Sequence, residues 1–468
     1  MISRIRSFLF PLVCMVSLAN CTLTELPQLA EADVPEDWQG PVVEGADIWP
    51  ETDWWNSFND EELSSIIAQV QENNLDLENN RRNLESAQIA LREAGFNLLP
   101  TPLVSLGTGA SYNETRIDGS ETSGSPNEPF RLGATFTYND ILSRPATYDR
   151  AVADYDFRVA QVADVALNTL GTAASTYFQL LLTRDKVEAS MQNVENAEAI
   201  YRIAQARVNA GVAVPIEALQ QQIALERERN NLRSFIQNDL ATRSSLALLL
   251  GRTLQNFDVA GQTLESIEVP LVKPGLPSEL LDRRPDLVQA EANLRSARAS
   301  VDIVKTDLFP QISLTGGINA SSTSLSELVS DPDTILSINA NLIQTLLDNG
   351  QRFRNIDQAR ITMENSLNNY RRAVIGAFNE VEVLLSNIEL LEAQGVVAFQ
   401  NLEAAEEAFR IAEVRYQEGV ADFQTVLIAQ NTLFSTRNSY LDNKLLRLNT
   451  ITALFQALGG GWQADSEE

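Results

Sequence analysis

Paired carboxylates are the residues of this sequence whose types and spacing come closest to acid–base catalysis. Glu380 and Glu382 lie two positions apart, and Asp60, Glu61 and Glu62 are consecutive. Two carboxylates two positions apart on a helix point in different directions, so they do not face a common substrate. The consecutive acids precede a helical pattern, and the start of a helix favours negative charge. We therefore expect solvated structural carboxylates and predict no enzyme.

Other site chemistry is limited by the residues that the chain lacks. The 468 residues contain no histidine, which excludes a Ser-His-Asp triad and removes the commonest metal ligand. Both cysteines, Cys14 and Cys21, lie near the start, so the body of the chain has neither a zinc cluster nor a disulfide framework. The glycines at 107, 109 and 459–461 lack the lysine and the strand-turn-helix context of a phosphate loop. We predict no cofactor and no metal.

The charge of the chain restricts its partners. With 63 acidic and 35 basic residues, the formal net charge is −28. Nucleic acid binding needs clustered lysine and arginine, so we expect no nucleic acid partner. The acidity has two interpretations, a solvated and self-repelling surface or an interior that favours cationic cargo, and the total charge does not separate them.

The first 21 residues are typical of an export signal. Two arginines precede an apolar run that is too short for an ordinary membrane span. The sequence of residues 18–21, Leu-Ala-Asn-Cys, resembles a bacterial lipobox, which makes Cys21 the predicted lipidation site. Asn20 departs from the small residue usual at that position, and cleavage by ordinary signal peptidase after Ala19 is the alternative. In both cases we expect an exported protein.

The sequence repeats itself along the chain. The recurring pairs are Leu99-Pro100 and Phe309-Pro310, Asp140 with Arg144 and Asp348 with Arg352, Gly211-Val212 and Gly419-Val420, and Leu250-Gly251 and Leu458-Gly459. Four landmarks at a nearly constant offset indicate a tandem duplication. Each half is predicted to run helix, hairpin, long helix, turn, helix.

Long proline-free stretches predict the helices, because proline inside a helix costs about 3 kcal/mol. The predicted helices are 146–209 and 354–417, which are very long, and 60–98, 213–251, 286–308 and 420–458, which are shorter. Gly211 and Gly419 follow the two long helices and predict a left-handed stop and a chain reversal. By itself this pattern is equally typical of a structural coiled coil.

Four further segments alternate between apolar and small polar residues. The predicted strands are about 103–113, 129–140, 311–320 and 334–344, with polar connections at 113–128 and 320–333. This alternation at about ten residues is typical of transmembrane β-strands, and a half-buried sheet in a soluble domain is the alternative. We favour the barrel because all four segments of an exported chain show the pattern.

Four strands are too few to close a barrel, and unpaired strand edges in lipid cost several kcal/mol for each backbone group. The chain must therefore oligomerise in the membrane: two copies supply eight strands, three supply twelve and four supply sixteen. Because an eight-stranded barrel is filled by its own side chains, a pore favours three or more copies.

Several motifs resemble one known family. They are Leu276-Pro277-Ser278-Glu279-Leu280-Leu281, Arg283-Arg284-Pro285-Asp286, Phe309-Pro310-Gln311-Ile312-Ser313-Leu314, Gly419-Val420-Ala421-Asp422-Phe423 and Ala457-Leu458-Gly459-Gly460-Gly461-Trp462. From Trp54 to Trp462 the chain resembles the outer-membrane lipoprotein components of RND-type efflux systems, the TolC/OprM superfamily.

The resemblance implies a mainly α fold with a transmembrane β-barrel. Tandem-duplicated helical hairpins would form a periplasmic α-barrel, and four strands per subunit would close as a 12-stranded barrel in a homotrimer. The implied function is a passive exit duct in the outer membrane of a Gram-negative bacterium, served by a periplasmic adaptor protein and an inner-membrane transporter of the RND type. The channel of a type I protein secretion system and a periplasmic structural coiled coil without a pore are the alternatives.

The resemblance also carries functional positions onto this chain. The adaptor-facing tips match Gly211, Val212, Gly419, Val420 and Ala421. The resting aperture matches Glu217, Gln220, Asp422, Gln424, Thr425 and Ile428. Family members commonly have aspartates at the positions of Thr425 or Ile428, so we expect a more apolar constriction here. Residues 137–144 also depart from the family pattern, and we expect a different passage from strand to helix.

The implied organisation has six segments. They are a signal peptide (1–20), a lipid-anchored segment with part of an equatorial belt (21–59), a first repeat (60–252), an equatorial linker (253–285), a second repeat (286–462) and an acidic tail (463–468).

Overall fold

The computed structural model describes residues 35, 38–40, 51–108, 115–117, 120–122, 130–260, 263–271, 275 and 277–462. The predicted signal peptide, the lipidation site Cys21, the acidic tail and positions 109–113 of the first predicted strand lie outside the described residues. Within them the chain is mostly helical, with a four-stranded antiparallel sheet.

Two very long helices dominate the chain. The described helices are α1 (Glu61–Asn73), α2 (Leu75–Phe96), α3 (Arg144–Asn209), α4 (Pro215–Leu249), α5 (Leu280–Arg283), α6 (Pro285–Thr306), α7 (Leu325–Ser330), α8 (Gln351–Gln417) and α9 (Phe423–Ala457). Short 3₁₀ turns lie at Trp54–Phe58, Leu254–Asn256, Leu264–Ser266 and Pro277–Glu279. α3 and α8 have 66 and 67 residues, or about 100 Å each at 1.5 Å per residue. The prediction of two long helices is confirmed.

The predicted single helix 60–98 is wrong, because Asn74 ends α1 and starts α2. Asn74 Oδ1 accepts hydrogen bonds from Asp76 N at 2.9 Å and Leu77 N at 3.1 Å. Backbone donors in a first helical turn have no partner inside the helix, so this cap stabilises the start of α2. Asn74 Nδ2 also donates to Leu249 O at 2.8 Å. The end of α4 therefore abuts the start of α2, and the two form a stacked column, α2/α4.

A second stacked column, α6/α9, repeats this arrangement. Arg284 Nη1 donates to Ala457 O at 3.0 Å, at the end of α9. A glycine with positive φ lies beside each junction, Gly251 in the first half and Gly459 in the second. A Cβ at these positions would lie 2.6 Å from the backbone oxygen of Asn73, which ends α1, and 2.1 Å from that of Arg283, which ends α5, so both junctions require glycine. The duplication thus gives each half the same junction.

The sheet has the strand order that the predicted barrel requires. The strands are β1 (Thr101–Thr108), β2 (Thr115–Ile117), β3 (Ser120–Thr122), β4 (Phe130–Tyr138), β5 (Gln311–Ser322) and β6 (Asp333–Ile343). The main sheet has the order β1-β4-β5-β6, and β2 and β3 pair separately. Of the two predicted polar connections, the first contains β2 and β3 and the second contains α7.

The register aligns apolar residues with apolar residues across the four strands. One row is Val104, Ala134, Ile318 and Leu336, and the next is Ser105, Gly133, Asn319 and Ile335. Successive residues of a strand point to opposite faces, so the two rows belong to different faces. The predicted alternation is confirmed, with Ile335 as a departure near a strand end.

Each strand of the main sheet is continuous with a helix, and both sets have the same spatial order. α2 leads into β1, β4 into α3, α6 into β5 and β6 into α8. α3 packs between the columns α2/α4 and α6/α9, and α8 packs on the other side of α6/α9. The described subunit therefore has two free edges, which run through β1 with α2/α4 and through β6 with α8.

Equivalent arginines, Arg144 and Arg352, stabilise the two connections from strand to helix, β4 to α3 and β6 to α8, through different partners. Arg352 Nε pairs with Asp348 Oδ2 at 2.8 Å, and Nη1 donates to Asp307 O at 3.1 Å. In the first half, the Arg144 guanidinium instead lies over the Tyr138 ring, 4.4 Å from its centroid. The first connection from strand to helix therefore differs from the second, and the expected departure of residues 137–144 from the family pattern stays a prediction.

The main core lies where the N-terminal elements cover the middle of the helices. We call equatorial layer the 3₁₀ turn Trp54–Phe58, α1 and the covering residues 254–260 and 263–267, with the faces of α3, α4 and α9 that they cover. Trp54, Phe58, Tyr177 and Phe178 are at most 1% exposed there. The Phe58 ring lies 5.1 Å from that of Phe178. The largest buried aromatic side chains of the described chain are concentrated in this layer.

Candidate functional site

The two predicted chain reversals lie at Gly211 and Gly419. Their φ angles are +73° and +76°, and a Cβ at either position would meet nothing within 4 Å. Val212 N donates to Arg207 O at 3.1 Å, and Val420 N donates to Arg415 O at 2.9 Å. These bonds close the last turns of α3 and α8 in the same way, as expected when glycine supplies a left-handed stop.

The tips of both hairpins expose apolar side chains. Val212, Val214 and Ile216 at the first tip are 69%, 55% and 60% exposed, and Val420 at the second is 65% exposed. The predicted tip residue Ala421 is half-buried. The chain has a net charge of −28, yet apolar side chains are grouped and exposed at these turns. Such a group is typical of a protein interaction site.

Two predicted aperture residues, Asp422 and Thr425, form the N-terminal cap of α9. Asp422 Oδ1 accepts from Thr425 N at 2.9 Å and from Thr425 Oγ1 at 2.6 Å. The Thr425 hydroxyl and backbone N–H lower the pKa of the Asp422 carboxyl below its ordinary value. An Asp preceding the helix by one position is a signal for this cap that sequence reasoning could have used.

The other predicted aperture residues lie on two separate helices. Glu217 and Gln220 are in the first turns of α4, and Gln424 and Ile428 are in the first turns of α9. Gln220 and Gln424 are exposed, Ile428 is 59% exposed and Glu217 is half-buried. In the described subunit, no hydrogen bond or ion pair joins the α4 pair to the α9 pair. A common ring of these residues therefore needs several copies around one axis.

A small apolar cluster joins the hairpins near the tips. Ile200 of α3, Ala412 and Tyr416 of α8 and Val426 of α9 are buried together, and we call them the tip cluster. The Arg207 guanidinium lies 5.6 Å from the centroid of the Tyr416 ring. These contacts hold the end of the first hairpin against the second.

One hydrogen bond links α4 directly to α9 above the tip cluster. Arg227 Nη2 donates to Asn431 Oδ1 at 2.9 Å, at an exposed position. Farther along the same helices, the Phe235 and Phe434 rings lie 6.4 Å apart. Sequence reasoning missed this link because its partners are 204 positions apart and no local spacing indicates them.

The equatorial layer contains a half-buried polar network that sequence reasoning also missed. Arg184 Nη1 donates to Val259 O at 2.7 Å, and Asp185 Oδ2 accepts from Leu264 N at 2.9 Å. Two neighbouring side chains of α3 therefore hold the backbone of the covering residues at Val259 and Leu264. Burial raises the pKa of Asp185 to about 6, and the hydrogen bond from Leu264 N partly opposes the rise.

The described ranges contain no candidate metal site and no helix that could span a membrane. No three His, Cys, Asp or Glu side chains there are grouped as a metal site would require. No helix there combines the length and hydropathy of a membrane span.

The sequence profile of the outer membrane efflux protein family matches residues 66–252 and again residues 276–460. The chain is 29% identical to the pyoverdine export outer membrane protein OpmQ of Pseudomonas aeruginosa, over 96% of each chain. It is 26% identical to the cation efflux system protein CusC of Escherichia coli K12, over 97% of this chain and 99% of the relative.

Solved channel structures have the same fold. The Campylobacter jejuni CmeC outer membrane channel superposes with a TM-score of 0.86 at 23% identity, over 96% of each chain. The open state of the Neisseria gonorrhoeae MtrE outer membrane channel superposes with a TM-score of 0.82 at 23% identity, over 94% of this chain and 98% of that chain.

Proposed function

The chain belongs to the outer membrane efflux protein family, and from this membership we propose that it is the exit duct of a tripartite efflux system. The duct passively conducts substrates to the exterior. An inner-membrane transporter of the RND type and a periplasmic adaptor protein deliver them. The transporter supplies the energy, and this chain supplies the passage and its gate.

Matched free edges are the observation that carries this proposal. β1 and β6 each have one unpaired side, and each continues into a helix at the corresponding edge of the helical layer. In lipid, unpaired backbone groups cost several kcal/mol each, so the edges must pair with other copies. Three copies give twelve strands and a barrel wide enough for a pore, and the same three copies close the helices into a tube.

The distribution of exposed apolar side chains supports this closure. α8 exposes Phe353, Ile361, Ile375, Val383, Leu390, Val396, Val397, Phe399, Ile411 and Val414, and the column α2/α4 exposes Leu75, Ile89, Phe96, Ile216, Leu219, Ile223, Ile236, Leu240 and Leu248. The central helices α3, α6 and α9 expose far fewer described large hydrophobic residues, namely Met191, Ile203, Ile428 and Leu446. Apolar surface concentrated at both edges is what a self-association interface requires.

The tips are the proposed docking and gating end. Gly211, Val212, Gly419, Val420 and Ala421 face the adaptor protein. In the trimer, the starts of α4 and α9 surround the axis and form the resting aperture with Glu217, Gln220, Asp422, Gln424, Thr425 and Ile428. A carboxylate at the position of Ile428 would attract cations, whereas the isoleucine makes this part of the aperture apolar.

Attachment to the membrane has two proposed components. The outward apolar rows of the sheet contact the lipid, and a lipid on Cys21 anchors the start of the mature chain. The localisation is the outer membrane, with the helices extending into the periplasm.

Two neighbouring residues of β5 provide a sharp test of the proposed barrel. Leu314 belongs to the apolar face and pairs with Ala340, whereas Ser313 belongs to the polar face and pairs with Asn341. Leu314→Arg places a charge in the lipid at a cost of about 2–4 kcal/mol per copy near the midplane. We expect loss of the trimer in native mass measurements and loss of conductance in planar bilayers. Ser313→Arg should still assemble and conduct, and equal tolerance of the two substitutions would contradict the barrel.

A further inference from the structure

Charged side chains are confined to a single row of the four main strands. At the described positions of β1, β4, β5 and β6, Arg131 and Asp333 are the only residues with a formal charge. The register places them in one row, which runs Gly107, Arg131, Ser321 and Asp333. Charged residues make up 21% of the whole chain. The strands are therefore depleted of charge everywhere except in this row.

Both charged residues lie on the polar face of the sheet. Successive residues of a strand alternate between faces, so Arg131 shares a face with Gly133, and Asp333 shares one with Ile335. Gly133 and Ile335 belong to the row of Ser105, on the face opposite the apolar row. The proposed barrel turns its apolar rows to the lipid and its polar face to the lumen. The side chains of Arg131 and Asp333 therefore line the passage.

The charged row lies at the outer end of the proposed barrel. At this end β1 is connected to β4, and β5 to β6, whereas the other four strand ends lead into α2, α3, α6 and α8. The proposed duct extends its helices into the periplasm, so the charged row is at the mouth that faces the exterior. Cargo leaving through the barrel passes this row after the uncharged part of the lumen face.

The two charges are separate from each other and open to the lumen. Arg131 and Asp333 both pair with Ser321, on its two sides, so two strand spacings, about 9.5 Å, lie between their backbones. Both side chains are exposed, and neither makes an ion pair or a side-chain hydrogen bond with another described residue. On the other side of Arg131 lies Gly107, where a Cβ would meet nothing within 4 Å. The small neighbours therefore leave the guanidinium unshielded.

Threefold symmetry turns the two residues into two rings. Barrel strands are tilted by about 35–45° from the barrel axis, so residues two strands apart in one row differ in height by about 6 Å. Three copies of Arg131 then form one ring, and three copies of Asp333 form another at a different height. Rings of basic side chains favour anions in a pore, and rings of acidic side chains favour cations.

We propose that Arg131 and Asp333 determine the charge preference of the outer mouth of the duct. This inference rests on the proposed function and adds the residues that set its specificity for charge. The remaining strand positions of the lumen face are uncharged and select by size and hydration. The chain has a net charge of −28, so a mouth with Asp333 alone would hold back anionic cargo. The Arg131 ring offsets this field and lets anionic cargo leave.

Reversal potentials in planar bilayers test the two rings on the full-length protein. Under a gradient of dilute potassium chloride, near 0.01 M by order of magnitude, charges on the wall are weakly screened. We expect Arg131→Gln to raise the ratio of potassium to chloride permeability about twofold, and Asp333→Asn to lower it about twofold. The double variant should return to the unmodified ratio. At about 1 M salt, where the Debye length is about 3 Å, both shifts should vanish.

Ser321→Asn is the matched control, because it enlarges a side chain of the same row without changing its charge. It should leave the permeability ratio unchanged. An unchanged ratio in either single charge variant, shifts of the same sign in both, or an equally large shift in Ser321→Asn would overturn the proposal. Native mass measurements check that each variant is still a trimer.

The current itself separates this proposal from the proposed function. Absence of current through the unmodified protein would refute the duct and the two rings with it. Normal current in every variant, with the same permeability ratio throughout, would refute the rings and keep the duct.

Discussion

The equatorial layer and the tips contain the same helices but are held together by very different amounts of buried surface. The core of the equatorial layer contains 26 buried apolar residues, among them Trp54, Phe58 and Phe455. The tip cluster contains four. A fully buried large apolar side chain contributes about 1.5–3 kcal/mol, so the first region is far more resistant to opening than the second.

Polar contacts show the same contrast. In the equatorial layer, Arg184 and Asp185 bond to backbone groups of the covering segment in partly buried positions. Near the tips, the link between α4 and α9 is the exposed bond from Arg227 to Asn431. The proposed duct is therefore fixed at its middle and weakly closed at its end, as a gate at the tips requires.

The largest expected effect comes from the equatorial core. Phe58 is fully buried and its ring contacts those of Phe178 and Phe455. Phe58→Ala should lower the free energy of unfolding by about 3–5 kcal/mol, since it leaves a cavity among aromatic rings. Thermal unfolding followed by circular dichroism measures the loss. Leu271→Ala, at a position 71% exposed, should change it little, and similar melting of both variants would remove the contrast between core and surface.

The next effect is on the gate and not on stability. Arg227→Ala removes the hydrogen bond between α4 and α9 and leaves the Phe235–Phe434 ring contact. We expect a higher resting conductance in planar bilayers with nearly unchanged thermal unfolding. Arg229 is the matched control, because it lies on the same helix but pairs with Glu198 and Glu226 inside its own hairpin. If Arg229→Ala raised the conductance as much as Arg227→Ala, the link between hairpins would not be the restraint.

A smaller effect concerns the pH dependence of the equatorial layer. The folded-state pKa of Asp185 is about 6, above its ordinary 3.8, so the folded protein holds this proton more tightly than the unfolded chain. The resulting stabilisation is full below pH 3.8 and is lost as the pH rises through about 6. Asp185→Asn should therefore gain about 1 kcal/mol over the unmodified protein at pH 7.5, after discounting for solvent screening.

Melting curves at pH 7.5 and pH 4 check the sign of this effect. At pH 4 the carboxyl is largely protonated in the folded protein, so the gain from Asp185→Asn should nearly disappear. An equal gain at both pH values would assign the effect to packing and not to titration.

The smallest effect is expected at the start of α9. Asp422→Ala removes the acceptor for Thr425 N and should speed hydrogen exchange of that amide without a measurable change in melting. The pKa of Asp422 lies below 3.8, so its stabilising effect is present above pH 3.8 and is lost as the pH falls through the folded-state pKa. Unchanged exchange at Thr425 would show that the cap does not hold this turn.

Much of the fold was predictable because its signals are local and repeated. The helix predicted at 146–209 is observed at Arg144–Asn209, and the strand predicted at 334–344 is observed at Asp333–Ile343. Proline spacing and alternation determine such elements directly. The break at Asn74 was missed because it has no proline, although asparagine before Leu-Asp is a usable cap signal.

The contacts that distinguish the two regions could not be predicted from the sequence. The bond from Arg184 joins residues 75 positions apart. Such pairs depend on how the columns pack and not on any spacing along the chain. For the same reason, sequence reasoning could propose Thr425 for an aperture but could not show that its hydroxyl is already bonded to Asp422.

The stacked columns have a mechanical consequence. α3 and α8 run unbroken from the tips to the sheet, whereas α2/α4 and α6/α9 are interrupted at one height, where Asn74 and Arg284 bond across a gap in the covalent backbone. Bending or twisting of α4 and α9 can therefore be absorbed at these two joints without straining a peptide bond. The tip ends of α4 and α9 can then move while the sheet keeps its geometry.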